Sequence, residues 1–308
     1  MIKKAILIIT FLFIFIAGSL ALEDVYYYIN KGDDYFYKYD YDTAIVYYEK
    51  ALELDPENIL ALFQIGESYL GKKLYENAVN IYLKVINIPE GNAYISQINS
   101  RAINIADEKR FNLSEKLLKT IIKLDPKSVN TIIDLGYIYS QQGLHTKSLK
   151  EWLKAYSLQP TSDIITYDLG YAYHCLQKYN DAIKYYNKCL EINDKYTNAY
   201  INLADIYLEL KEYNKSIEKS KKVIELNPSE HLGYFNLGEA EYLLGQVDQA
   251  LTDLLKAYNL KTNDIDTLNR LGEIYIQKKM VIEAKKYIEE AIAVDPKNEK
   301  ALKLLKQI

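Results

Sequence analysis

His174 and Cys175 are neighbours in the chain, and an imidazole beside a thiol is the pairing that activates a cysteine nucleophile. Adjacent residues on a helix point about 100° apart, however, so adjacency alone does not aim one at the other. The other histidines, His145 and His231, form no His-Glu-x-x-His pair, and no Cys/His cluster has zinc-ligand spacing. Neither a Gly-x-Ser-x-Gly nucleophile elbow nor a phosphate-cradling Gly-x-x-x-x-Gly-Lys-Ser/Thr loop is present. The 42 acidic residues are plentiful enough to read as a solvated face. These residues give no catalytic constellation, no metal site and no cofactor, so the expected role is non-catalytic.

The 42 acids face 38 basic residues, and the net charge of −4 argues against a dedicated nucleic-acid binder. A chain that is 49% hydrophobic and 26% charged is not disordered throughout. Only three residues are arginine (Arg101, Arg110 and Arg270), while 31 are tyrosine. This Lys/Ile/Tyr-rich composition suggests an AT-rich, bacterial genome.

The amino terminus has three parts. Lys3 and Lys4 are basic, Ala5 to Ala17 is apolar except for Thr10, and Ser19-Leu20-Ala21 places small residues before a cut after Ala21. This is the pattern of a secretory signal peptide over residues 1–21, which implies a periplasmic or extracellular chain. The alternative is an uncleaved inner-membrane anchor over residues 5–22, about the minimum length for a span. No cysteine follows the apolar run, so a lipid-modified amino terminus is not supported.

The elements that must position any site come from an internal repeat. Counting in 34-residue steps gives starts at Val25, Ile59, Ile95, Val129, Asp163, Thr197, His231 and Ile265, with five of the six prolines at position 32. One two-residue slip is needed, at Ala93-Tyr94. Position 8 is Gly or Ala in every repeat, and position 20 is Ala or Ser. Helices cross closely only where the facing residues are small, so these columns mark the contact inside a helical hairpin. Position 11 is Tyr in six repeats, and position 24 is large in seven, including Trp152. Positions 4, 7, 8 and 11 share one helical face, as do 20, 24 and 27.

The columns resemble the tetratricopeptide repeat family, whose pattern runs Leu-Gly, Tyr, Ala, aromatic, Pro in 34 residues. Repeat five shows it in Leu169-Gly170, Tyr173, Ala182 and Tyr186. Repeat four shows Leu135-Gly136, Tyr139, Trp152, Ala155 and Pro160. The resemblance covers residues 25–298 and implies an all-α, right-handed superhelical solenoid of about eight helix-turn-helix repeats. The repeats are 25–58, 59–92, 95–128, 129–162, 163–196, 197–230, 231–264 and 265–298. Residues 299–308, with Ala301, Leu302, Leu304 and Leu305, read as an amphipathic helix capping the last repeat. Cys175 and Cys189, at opposite ends of one hairpin, should lie on the order of 10 Å or more apart, too far for a disulfide.

Repeat three is the irregular one. It follows Pro89-Glu90-Gly91-Asn92 and the inserted Ala93-Tyr94, and it places Arg101 at position 7, where an aliphatic residue is expected. Two readings stand: a bend or specialised pocket, or a tolerated weak repeat with Arg101 reaching solvent along its stem.

The resemblance also implies where a partner binds. In the family, positions 2, 5, 9, 12 and 13 of the first helices face a concave groove that holds a peptide or a partner's segment. Here they give Tyr26, Asp33, Phe36 and Tyr37 in repeat one, Phe63 and Glu67 in repeat two, and Tyr137 in repeat four. Repeat five gives Tyr167, Tyr171 and His174. Repeat six gives Asp205 and Glu209, repeat seven Phe235, Glu239 and Tyr242, and repeat eight Glu273. Position 9 is acidic in five repeats, while the middle is aromatic. That arrangement would suit an extended segment with Lys or Arg near its ends, gripped centrally by tyrosine. Position 5 lacks the lysine of the clamp that holds acidic chaperone tails. The expected function is a protein-interaction scaffold in cell-envelope assembly or secretion. The rival is a self-associating or membrane-anchored structural component of the envelope.

Overall fold

The computed structural model describes residues 24–308; the expected leader or anchor lies outside the described residues. Described residues 24–36 form the helix labelled α1. It is followed by α2 (Tyr41–Leu54), α3 (Ile59–Gly71), α4 (Tyr75–Asn87), a 3-10 helix (Pro89–Tyr94), α5 (Ile95–Asp107), α6 (Phe111–Leu124), α7 (Val129–Gln141) and α8 (His145–Leu158). Then come α9 (Asp163–Cys175), α10 (Tyr179–Ile192), α11 (Thr197–Glu209), α12 (Tyr213–Leu226), α13 (His231–Leu243), α14 (Val247–Leu260), α15 (Ile265–Gln277), α16 (Val281–Val294) and α17 (Glu299–Leu305). There is no strand among the described residues. The chain divides into two compact units, 1–154 and 155–308, with the division inside α8.

Each hairpin is punctuated twice. Between its helices, position 15 adopts the left-handed conformation, at Tyr39, Lys73, Lys109, Gln177, Lys211 and Lys279 and at Gly143 and Gly245. Between hairpins, the tight turn ends on a cap: Asn58 accepts from the Ala61 N–H at 3.0 Å, and Asp264 from the Thr267 N–H at 3.0 Å. First helices from the second hairpin onward begin at position 1 of the sequence repeat.

The hairpin contact joins three columns. A Cβ added at Gly66 would lie 2.5 Å from a Tyr82 ring carbon, and one at Gly170 would lie 2.6 Å from the Tyr186 ring. The small residue at position 8 therefore makes room for the large one at position 24. Position 20 closes the same crossing: Ser114 Oγ donates to the Ala102 carbonyl at 2.6 Å. In repeats three and six, where position 8 is alanine, position 24 is Leu118 and Ser220 rather than an aromatic ring.

In the first unit the core runs through Ile98, Ile105, Leu117 and Ile121, all fully buried. In the second it runs through Leu203, Leu254, Leu271 and Ile288. At the carboxyl end α17 caps the core with Ala301 and Leu304 only; Leu302 and Leu305 face out, and the helix is shorter than expected because it ends at Leu305.

The insertion before repeat three is a 3-10 helix rather than an open loop. A Cβ at Gly91 would lie 1.9 Å from the Val85 carbonyl oxygen, so only glycine fits there. The insertion lays the Tyr94 ring 4.7 Å from Phe63.

Candidate protein-binding surface

Within the second unit, α11 packs beside both α9 and α13, so first helices share a face, as α5 and α7 do in the first unit. On these helices Tyr137 and Tyr171 are 46% and 40% exposed, and on α1 Tyr26 is 56% exposed. Tyr37 is 76% exposed, and Phe36 is half-buried against the Tyr41 ring. Glu209 is exposed, while Phe235 and Tyr242 are half-buried against the carboxyl-terminal core. Phe63 departs from expectation: Tyr94 and Tyr82 cover it on two sides and it is buried. Tyr167 is also largely covered, stacked 4.8 Å from Tyr196, with its hydroxyl accepting from Asn202 Nδ2 at 3.1 Å.

The acidic column is a correction to the charge pattern expected from sequence. All five position-9 acids have partners inside the chain. Asp33 accepts from the Tyr48 hydroxyl at 2.6 Å and from Gln64 Nε2 at 2.8 Å. Glu67 accepts from the Tyr82 hydroxyl at 2.5 Å and holds the Arg101 guanidinium through Nε at 2.9 Å and Nη2 at 2.8 Å. Glu239 holds Arg270, which also reaches Glu273 at 2.8 Å. Lys300 lies 3.2 Å from Glu273, and Tyr242 donates to Glu273 at 3.4 Å. Asp205 lies 3.5 Å from His174 Nε2. Asp33, Glu67, Glu239 and Glu273 bind one repeat to the next and are not a free row awaiting a partner's basic ends; Asp205 stays half exposed beside His174.

Arg101 departs from the reading in which its head reaches solvent. Its head forms a bidentate pair with Glu67, the residue 34 positions earlier. The hydrogen bonds to Glu67 push its pKa above the usual arginine value. Burial, together with the Glu67 charge, pushes the Tyr82 hydroxyl strongly up, so it stays a donor.

His174 and Cys175 do not form a nucleophile pair. Burial pushes the His174 imidazole down, against the pull of Asp205 and Glu209. The Cys175 thiol shares a hydrogen bond with Tyr171, and burial pushes its pKa up, away from a reactive thiolate. Both cysteines are free. Among the described residues no group of three or more His, Cys, Asp or Glu is placed to hold a metal ion.

One functional column was missed by the sequence reading, namely position 6. It reads Asn30, Gln64, Ser100, Asp134, Asp168, Asn202, Asn236 and Arg270, polar in every repeat although position 7 beside it is mostly aliphatic. Several members reach into the preceding repeat: Gln64 to Asp33, Arg270 to Glu239, and Asn202 to the Tyr167 and Tyr186 hydroxyls. Asn99 donates to Asp134, whose carboxyl burial pushes up. Ser100, Asn99 and Asp134 line a polar cavity of about 410 Å³ in the first unit. The unbroken polarity of the column was the signal that could have found it.

The stacked hairpins and their small, tyrosine and acidic columns define a helical-repeat protein. Tetratricopeptide repeat profiles match residues 59–92, 161–229, 201–264 and 265–298, and a TPR repeat profile matches 32–73. Together they span more than half of the chain, which belongs to the tetratricopeptide repeat family. It is similar to Superkiller protein 3 of Saccharomyces cerevisiae, at 28% identity over 135 residues, covering 42% of this chain but only 9% of that protein. Among solved structures it is similar to the MamA protein, at 26% identity and a TM-score of 0.51, over 56% of this chain and 94% of the other. PilW, described as a type IV pilus biogenesis factor, shares the fold at 18% identity with a TM-score of 0.61, over 68% of this chain and 98% of the other. No helix among the described residues is long and apolar enough to cross a membrane.

Proposed function

We propose that the protein is an exported, non-catalytic interaction scaffold that holds a segment of another protein on the first-helix face of its repeats, in the assembly or secretion machinery of a cell envelope. The observation that carries the binding reading is that Tyr137 in the first unit and Tyr171 in the second, each at position 9 of its repeat, stay 46% and 40% exposed. A tyrosine ring left half exposed at a repeat column suits recognition, because it offers contact area at low entropy cost. The export reading rests on the basic, apolar and small-residue parts of residues 1–21.

The test is affinity capture from the parent organism's envelope extract, comparing the wild-type chain with a Tyr137→Ala, Tyr171→Ala variant of matched helicity. A partner retained by the first and lost by the second supports the groove. Equal recovery moves binding off this face.

One observation favours the structural rival. Val281 and Ile282 open α16 with Ile282 84% exposed, an apolar spot suited to a second copy. Concentration-dependent dimers abolished by Ile282→Glu would favour that reading.

A further inference from the structure

Helix α9 carries an outward stripe at Ile164, Asp168, Tyr171 and Cys175, spaced by four, three and four residues. Ile164 and Tyr171 on this stripe are exposed, while Ile165, Thr166, Leu169 and Gly170 face the core. Asp168 therefore points to the binding face, yet it is largely covered. Among the described residues it has neither a hydrogen-bond nor an ion-pair partner. Three of its counterparts at position 6 are satisfied: Arg270 by Glu239, Gln64 by Asp33, Asp134 by Asn99. Burial without a neighbouring cation raises its pKa to about 7.

The groups around it are aromatic. Tyr167 and Tyr196 stack at 4.8 Å, and Tyr171 stands three residues on along the stripe. Burial raises the Tyr167 and Tyr196 hydroxyls and the Cys175 hydrogen bond raises that of Tyr171; the Asp168 charge adds to the rise in all three. A carboxylate beside ring faces is what a cation leaving water requires: one full opposite charge and quadrupole faces to replace its hydration. A largely covered carboxylate with no partner is poorly solvated in the free protein, so the ligand that supplies the missing charge gains from relieving it.

We propose that Asp168 anchors one cationic side chain, a lysine ammonium or an arginine guanidinium, carried on an extended segment of a partner protein, with the Tyr167, Tyr171 and Tyr196 rings as its walls. The inference rests on the segment-binding reading above and deepens it. The basic residue of the partner sits at the aromatic centre of the face, where a carboxylate is unpaired. Within the same unit it does not sit on Glu239, which already holds Arg270.

The experiment is a selection of random twelve-residue peptides displayed on phage against the full chain, followed by fluorescence-anisotropy titration of individual enriched peptides. The expected result is a Lys or Arg at one shared position. Replacing it by norleucine or citrulline should weaken binding at least about tenfold, in line with the loss of a charge-assisted pair. Asp168→Asn, checked for unchanged helicity, should weaken the same peptides at least about tenfold, and the two changes together should cost little more than either alone. Norleucine and citrulline arms separate an ammonium ligand from a guanidinium. Enriched peptides that lack a basic residue, or that bind Asp168→Asn within about twofold of wild type, overturn the Asp168 anchor and leave segment binding standing. Enrichment of no peptide overturns the segment-binding reading itself, and the anchor with it.

Discussion

Replacing Asp168 by asparagine should stabilise the free protein, and by an amount that depends on pH. The side chain keeps its shape and loses its charge. In the folded chain the carboxyl has its pKa raised from 3.8 to about 7 by burial alone. The sign follows from the direction of the shift. A folded pKa above the unfolded one means that the folded state holds the proton more tightly, so this group's contribution is fully present below about pH 4 and is lost as pH rises through about 7. A gap of about three pH units corresponds to about 4 kcal/mol at full ionisation. Partial access to water and local relaxation bring the working figure to about 2 kcal/mol. The ionisable groups of this unit that face the carboxyl are Tyr167 and Tyr171 on α9, Tyr196, and Cys189 on α10; none is cationic. Urea unfolding followed by helicity should therefore show Asp168→Asn close to wild type at pH 4 and more stable by about 2 kcal/mol at pH 8. A variant equal to or weaker than wild type at pH 8 would refute the claim that the carboxylate is buried and uncompensated.

Three further outcomes follow from the packing. Arg270→Met leaves Glu239 and Glu273 without their shared cation and should cost about 3 kcal/mol in urea unfolding; a loss below about 1 kcal/mol would show the pairs to be solvent-screened. Gly170→Ala should destabilise by about 2 kcal/mol despite the better helix propensity of alanine, because its Cβ would sit 2.6 Å from the Tyr186 ring. A gain in melting temperature would show that the ring can give way. Lys73→Gly should raise stability by about 0.5 kcal/mol, since Lys73 holds φ at 59° and glycine adopts that conformation without a Cβ clash. An unchanged or lower midpoint would mean that the lysine side chain compensates locally.

The fold was legible because its constraints recur. Small residues at positions 8 and 20, the large one at 24 and the turn at 15 each repeat every 34 residues, so a single chain supplies its own comparison. The helix starts at Ile59, Val129, Asp163 and Ile265 follow the sequence count directly. Less was legible where a side chain's fate depends on a residue in another repeat. Phe63 has a groove-column position and an aromatic type, yet it is buried because the insertion carries Tyr94 onto it. Leu302 and Leu305 were expected to cover the last repeat, but α17 has only one inward stripe, filled by Ala301 and Leu304.

The acids show the same limit more sharply. Read down one column, Asp33, Glu67, Asp205, Glu239 and Glu273 look like a row of free negative charge. Read across columns, Asp33, Glu67 and Glu239 follow a linkage rule. The position-9 acid takes the hydroxyl of its own position-24 tyrosine, 15 residues on, in repeats one and two. It takes a donor from position 6 or 7 of the following repeat, 31 or 34 residues on, in Asp33–Gln64, Glu67–Arg101 and Glu239–Arg270. Repeat five lacks this linkage, as repeat four does, but in repeat four the position-6 acid Asp134 takes Asn99. Position 9 of repeat five is Tyr171 instead of an acid, its position-24 tyrosine turns to Asn202, and its own acid, Asp168, stands at position 6 with no partner. A charge used between repeats is bound to recur with them, while a charge kept for a ligand is under no such constraint. The position-6 carboxylate that takes no partner, rather than the abundance of acids, is therefore what points to α9 as the place where a cation from another protein fits.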